Sequence, residues 1–108
     1  MKINIFAKNI KLTEALEEFV EMKIGTLQKY LRDKNIEARV EIGKPSKHHH
    51  SGPVFYAEGN LKVKGKLFRA TCNHEDLRLA ITQVKDELQM QIQKFKDKVN
   101  TSRRSKTK

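Results

Sequence analysis

The chain has 108 residues, enough to bury one hydrophobic core and too few for two. It is 37% apolar and 33% charged with a formal net charge of +10, which points to a polyanionic partner without by itself separating RNA, DNA and an anionic membrane. The single cysteine, Cys72, excludes an intrachain disulfide and suits a reducing cytosol, no run reaches the ~18 apolar residues of a membrane span, and residues 1–6 are too short and too alternating for a signal peptide.

Ile3 and Ile5 alternate with Lys2, Asn4 and Phe6, which predicts a short first strand. Thr13 is placed as a helix N-cap, with Glu14, Glu17 and Glu18 in the first turns, where the helix dipole favours acids. Leu16, Phe19, Val20, Ile24, Leu27, Tyr30 and Leu31 recur at three- and four-residue spacing, so the first helix is expected to run to about Leu31. Its opposite face carries Glu14, Glu17, Glu18 and Glu21, an ordinary solvated stripe.

Ile36, Ala38, Val40 and Ile42 alternate with Glu37, Arg39 and Glu41, the pattern of a half-buried strand. Residues 43–53 form a loop with Pro45, Pro53, Gly52 and the run His48-His49-His50. Phe55, Ala57, Leu61 and Val63 share one parity, and Gly59 among them reads as a bulge or bend. Lys64-Gly65 is a tight turn, and Phe68, Ala70 and Cys72 form the inward face of a fourth strand. Asn73 reads as the N-cap of a second helix, with Glu75 and Asp76 in its first turn. Leu77, Ala80, Ile81, Val84, Leu88, Ile92, Phe95 and Val99 form that helix's apolar side.

The fold class is therefore α+β, in the order β-α-β-β-β-α. Strands 1 and 2 should be parallel through a right-handed crossover, and the later strands antiparallel. Each strand has one apolar parity, so both helices must cover the same face of a four-stranded mixed sheet. Residues 1–100 make one domain, and residues 101–108, which lack apolar partners, are expected to be a disordered basic tail.

Placing Leu77 at zero and advancing about 100° per residue puts Arg78, Lys85 and Lys96 on one edge of the second helix, with Gln89 filling the gap. Lys94 and Lys98 fall on the other edge, with Glu87 among them. Residues 94–108 carry seven bases against the single acid Asp97. The first helix adds Lys29, Arg32 and Lys23; Lys23 falls inside the apolar face and must snorkel to the helix edge or point into the groove between the helices. The strand 3–4 hairpin adds Lys62, Lys64, Lys66 and Arg69 without an acid between them. Any one of these bases is the ordinary flank of a core stripe. Their alignment, spread over both helices and the hairpin, points to folded RNA.

The β-α-β-β-β-α order combines with several short stretches. These are Leu12-Thr13-Glu14-Ala15-Leu16-Glu17-Glu18-Phe19-Val20, then Lys23 and Tyr30, then Glu75-Asp76-Leu77 with Ala80-Ile81, and last Lys94-Phe95-Lys96-Asp97-Lys98. Together, over about residues 1–100, they resemble the ribosome hibernation promoting factor and ribosome-associated inhibitor A family. The resemblance implies a cytoplasmic stress or stationary-phase factor. Such a factor binds the small ribosomal subunit between head and body, at the A- and P-sites and the messenger channel. It would block translation by occupancy, through ribosomal RNA, and without cofactor or membrane. Lys23, Lys94, Lys96 and Lys98 match basic positions of the family pattern. Lys29, Arg78 and Lys85 join them as candidate RNA-binding residues from the helical placement. The family usually has an aromatic at the place of Arg78 and often bases at the places of Thr26, Glu87 and Met90, so this chain's contacts differ in detail. The ending Ser102-Arg103-Arg104-Ser105-Lys106-Thr107-Lys108 looks most like a short promoting form. Such a form is expected to be a monomer off the ribosome and to need a separate factor for ribosome pairing.

Three rival readings are weaker. Cys72 with His74 could be a nucleophile and base, but Cys72 has inward parity, so a small buried thiol is expected and no catalysis. Adjacent His48, His49 and His50 cannot readily converge on one ion, and no metal site is expected. The alternative binding module is a double-stranded-RNA-binding domain acting outside the ribosome, but its lysines at the start of the last helix are replaced here by Asn73-His74-Glu75-Asp76.

Overall fold

The computed structural model describes residues 1–32, 35–45 and 54–106. Strand β1 (Lys2–Lys8) leads to helix α1 (Glu14–Gly25) and a 3-10 segment (Thr26–Tyr30). Strands β2 (Glu37–Gly43), β3 (Phe55–Val63) and β4 (Lys66–His74) follow, and helix α2 (Leu77–Lys106) closes the order. The strands form one sheet in the order β1-β2-β3-β4. β1 is parallel to β2, from Lys2 opposite Glu37 to Lys8 opposite Gly43, while the β2–β3 and β3–β4 pairs are antiparallel. α1 and the 3-10 segment supply the long connection that a parallel pair needs.

The alternation of each strand sorts its side chains. Ala38, Val40, Ile42, Ala57, Leu61, Phe68 and Ala70 are buried on one face of the sheet. Leu16, Val20 and Ile24 of α1 join the same core, as do Ala80, Ile81, Val84, Leu88 and Ile92 of α2. Both helices therefore cover one face, α1 beside β1 and α2 over β3 and β4. Each fully buried aliphatic side chain here, such as Ile92 or Leu88, contributes about 1.5–3 kcal/mol before entropy is counted.

Local details differ from the sequence reading, each for a physical reason. The α-helix stops at Gly25 rather than near Leu31, and the chain tightens into the 3-10 segment. Gly25 and Thr26 are poor helix formers, and the Thr26 hydroxyl donates to the Lys23 carbonyl at 2.6 Å. Leu27 stays fully buried through the change. Gly59 marks no bulge: it pairs in unbroken register with Val40 and Ala70. A β-carbon there would lie 2.8 Å from Val84 Cγ1 and 3.0 Å from Leu88 Cδ1, so the glycine lets α2 approach the sheet. Asn73 belongs to β4 opposite Tyr56, and the helix cap is Asp76. Its Oδ1 accepts from the Arg78 N–H at 2.9 Å and the Leu79 N–H at 3.4 Å, and its carbonyl accepts from Ala80 at 3.0 Å. The α2 backbone stays helical to Lys106, past the boundary expected at residue 100. Residues 107–108 and the histidine run at 48–50 lie outside the described residues.

Thr13 caps α1 as the sequence predicts, its Oγ1 accepting from the Leu16 N–H at 3.2 Å. Lys64 and Gly65 both have positive φ, 47° and 79°, the backbone of a two-residue hairpin turn whose twist matches the strands it joins.

Candidate nucleic-acid interface

Contacts identify what each edge of α2 faces. Arg78 Cζ lies 4.8 Å from the centroid of the Phe19 ring on α1. Lys96 Nζ donates to the Tyr30 carbonyl of the 3-10 segment at 3.2 Å. The edge bearing Arg78, Lys85 and Lys96 therefore follows the seam with α1. On the opposite edge, Gln91 Nε2 donates to the Arg69 carbonyl of β4 at 2.8 Å, and Gln83 is the partner of Cys72. Lys94 and Lys98 share that edge by helical angle and so lie on the β4 side.

The seam collects five of the seven residues singled out in the sequence. Lys23 is half-buried, with its ammonium 5.6 Å from the Phe19 ring that Arg78 also faces. A cation buried without such a partner would be expensive; a ring face restores about 0.5–1 kcal/mol at an exposed site and more where water is excluded. Lys29 holds its ammonium 5.2 Å from the ring of Tyr30, the residue whose carbonyl Lys96 reaches. Lys85 has a side chain only 19% exposed and sits 2.5 Å from the more exposed carboxylate of Asp86. The rings and stems thus orient the charges along the seam while Lys29, Arg78 and Lys96 stay exposed to solvent.

Lys94 and Lys98 are exposed on the other edge and do not join the seam. Lys66 at the start of β4, read in the sequence as one of the hairpin bases, packs against Phe95, a residue of the same stretch of α2. Its ammonium lies 5.4 Å from the Phe95 ring and 5.8 Å from the Phe68 ring, and these rings meet edge to face at 5.8 Å. The structure also adds Phe19 and Tyr30, read from periodicity as core. Their legible signal was a base at i+4 from Phe19 and a base adjacent to Tyr30.

The hairpin is less uniformly basic than its own sequence indicates. Arg69 points to the uncovered sheet face and forms a 2.8 Å ion pair with Glu58 on β3. The acid is near in space but eleven positions away in sequence.

Cys72 is half-buried, its Sγ against the Gln83 side-chain oxygen, and burial pushes the thiol pKa up. A raised pKa leaves less thiolate, the reverse of nucleophile activation. His74 Nδ1 accepts from the Asp76 backbone N–H at 2.9 Å, a structural contact at the start of α2. Among the described residues, no group of His, Cys, Asp and Glu could hold a metal ion, and no helix is long and apolar enough to cross a membrane.

Residues 3–100 match the family model described as Sigma 54 modulation protein / S30EA ribosomal protein. The chain belongs to this family. It is 33% identical over 100 residues to the ribosome hibernation promotion factor of Bacillus subtilis (strain 168), covering 93% of this chain and 51% of that protein. It is 26% identical over 107 residues to the ribosome hibernation promotion factor of Staphylococcus aureus (strain COL), covering 98% of this chain and 54% of that protein. The chain thus spans about half the length of these relatives. The N-terminal domain of Protein Y from Thermus thermophilus superposes with a TM-score of 0.76 at 27% identity, covering 88% of this chain and 99% of that one. A ribosomal subunit interface protein from Coxiella burnetii shares the fold, with a TM-score of 0.74 at 19% identity over 90% of this chain and 99% of that one.

In this S30EA-family fold the sheet acts as a rigid base. It holds α1 and α2 side by side, and the cationic seam follows from their packing. Gly59 contributes by letting α2 settle close to β3.

Proposed function

We propose that this chain is a ribosome hibernation factor, a cytoplasmic binding protein without catalytic chemistry. It docks on the small ribosomal subunit through ribosomal RNA in the decoding region. There it occupies the A- and P-sites and the messenger channel and prevents translation during stress or stationary phase. Membership of the S30EA family and the names of its relatives support ribosome association. The single observation that carries the placement is the seam itself. Lys23 and Arg78 are held there by Phe19, Lys29 and Lys96 by Tyr30, and Lys85 lies on the same edge of α2 by helical angle. Lys94 and Lys98 extend the cationic surface on the far edge of α2. A broad array of fixed cations suits a folded polyphosphate, and binding there would release counterions.

The test is sedimentation with purified small subunits on a sucrose gradient at low ionic strength, followed by competition with initiator tRNA. Co-migration that initiator tRNA reduces is the expected result. Migration apart from the subunits would overturn the reading, and co-migration indifferent to tRNA would overturn the decoding-region placement.

A further inference from the structure

The two edges of the sheet differ. β4 is overlain by α2, and its Arg69 carbonyl accepts from Gln91 Nε2 at 2.8 Å. β1, the other edge, pairs with β2 alone among the described residues. The Lys2 N–H donates to the Ile36 carbonyl at 2.9 Å, and the Lys8 carbonyl accepts from the Lys44 N–H at 3.1 Å, so the even-numbered residues of β1 face β2. Alternation then turns the N–H and C=O groups of Ile3, Ile5 and Ala7 outward, away from the sheet. Nothing blunts this row. The register with β2 is unbroken, the strand holds no proline, and its helix-side positions carry no charge.

We propose that the β1 edge takes one further strand from a protein partner. That strand is an extended segment with apolar side chains on its helix side and acids on its other side, beside Lys2 and Lys8. Backbone pairing supplies the hydrogen bonds, and the flanking side chains supply the selectivity. Ile3 and Ile5 share the core-facing parity of Val40 and Ile42, which are fully buried on β2 with a strand on either side. On β1 the isoleucines stay half-buried, because no strand lies beyond them. Alternate side chains of an added strand would cover their open flanks. The other face of β1 carries Lys2, Asn4, Phe6 and Lys8, with Phe6 43% exposed. Lys8 stands opposite Gly43 and Lys2 opposite Glu37, and neither lysine is held in an ion pair.

Charge selects among strands. A second copy of β1 is a poor occupant: antiparallel pairing about Ile5 would set Lys2 beside the partner's Lys8 at each end, and directly opposed like charges destabilise a strand pair. Acids at those positions reverse the sign. They are confined to that face, because α1 looks over the other. Glu17 and Glu21 each lie two residues from Phe19, about 160° around α1, on the flank away from the seam. α1 packs on β1, so this acidic flank overlooks the edge and excludes carboxylates from the helix side of an added strand. The edge lies across α1 from the cationic seam, so an added strand leaves the seam open and the proposal stands apart from the RNA-binding reading.

The probe is a peptide blocked at both ends, Glu-Val-Thr-Val-Thr-Val-Glu, titrated into the full chain and followed by amide NMR and hydrogen exchange. Saturating peptide should slow exchange at Ile3, Ile5 and Ala7 at least about tenfold. Asn4 and Phe6, already bonded to β2, should not change. Two N-methylated peptides of the same charge, one altered at the valines and one at the threonines, separate strand pairing from simple attraction to a +10 chain. One of them, according to strand direction, should bind at least about tenfold more weakly, and the other should bind like the parent. Lys2→Glu combined with Lys8→Glu should lose the parent peptide and take up one with lysine at both ends. Equal binding by both N-methylated peptides, no saturable binding, or protection at other amides overturns the proposal. So does a charge-swapped variant that still prefers the acidic peptide. Protection of the same amides that rises with protein concentration alone would give the edge to a second copy and overturn the assigned partner.

Discussion

The Arg78 guanidinium and the Phe19 ring face each other at 4.8 Å, tying the first turn of α2 to the middle of α1. The ring also faces Lys23 at 5.6 Å, so one half-buried phenylalanine orients two cations from two helices. The charges are thereby ordered before any partner arrives, which lowers the entropy lost on binding. Phe19→Leu keeps an apolar side chain and removes no charge. In a double-mutant cycle with Arg78→Gln, urea denaturation should show a coupling of about 0.5–1 kcal/mol. Small-subunit affinity of Phe19→Leu alone should fall several-fold. Strictly additive stabilities would show that the ring and the guanidinium act independently.

Gly59 sets how closely α2 approaches the sheet. In an ordinary strand, Gly→Ala gains conformational entropy and improves stability. Here the new methyl would meet Val84 Cγ1 at 2.8 Å and Leu88 Cδ1 at 3.0 Å. Val84 is β-branched and fully packed, so it cannot turn aside cheaply. Overpacking wins, and Gly59→Ala should destabilise by about 1–3 kcal/mol. Equilibrium urea denaturation measures this; a midpoint at or above wild type would mean that the contact relaxes freely.

The role of Gly59 also shows where the sequence stops informing. Strand parity, both helices, the parallel β1–β2 step and the shared apolar face were legible because each rests on a local period. The partner of Gly59 is not local: Val84 and Leu88 lie on another element, so the glycine reads as a bulge. The cap of α2 shifted from Asn73 to Asp76 because β4 continues to His74, paired with Phe55, a long-range fact. At the candidate interface, helical angle alone separates Arg78, Lys85 and Lys96 from Lys94 and Lys98. That Lys23 meets Arg78 through Phe19, and that Lys66 meets Phe95, requires knowing which elements are neighbours. Glu58 neutralises Arg69 for the same reason, across the β3–β4 ladder.

Tyr56 offers a test on the uncovered sheet face. Its hydroxyl donates to Glu41 Oε2 at 3.0 Å. Burial first, then the hydrogen bond to Glu41 and the charges of Glu41 and Glu58, push its pKa from 10.0 up to about 12. Folding favours the protonated phenol. Its contribution to stability is fully present below the unfolded pKa and is lost as pH rises through the folded one. The stability difference between wild type and Tyr56→Phe should hold constant below pH 10 and shrink between pH 10 and about 12. Urea midpoints of both proteins across that window check it, and the common titration of lysines cancels in the difference. A difference that grows with pH would reverse the sign argued here.

Lys94, Lys96 and Lys98 separate binding from folding. All three are exposed, and Lys96 donates a hydrogen bond to the Tyr30 carbonyl. One exposed charged contact is worth at most about 1 kcal/mol, so Lys94→Gln, Lys96→Gln, Lys98→Gln should leave the melting temperature nearly unchanged. Their loss from an interface of about six phosphates is a different matter. The wild-type salt slope should be about −4 to −5 and the variant's shallower by about 2, with small-subunit affinity at low salt reduced by orders of magnitude. Filter binding across a salt series, paired with a thermal melt, gives both quantities. An unchanged slope would move the phosphate contacts off the end of α2 and onto α1 and the first turns of α2. A large drop in melting temperature would instead make these lysines part of the scaffold.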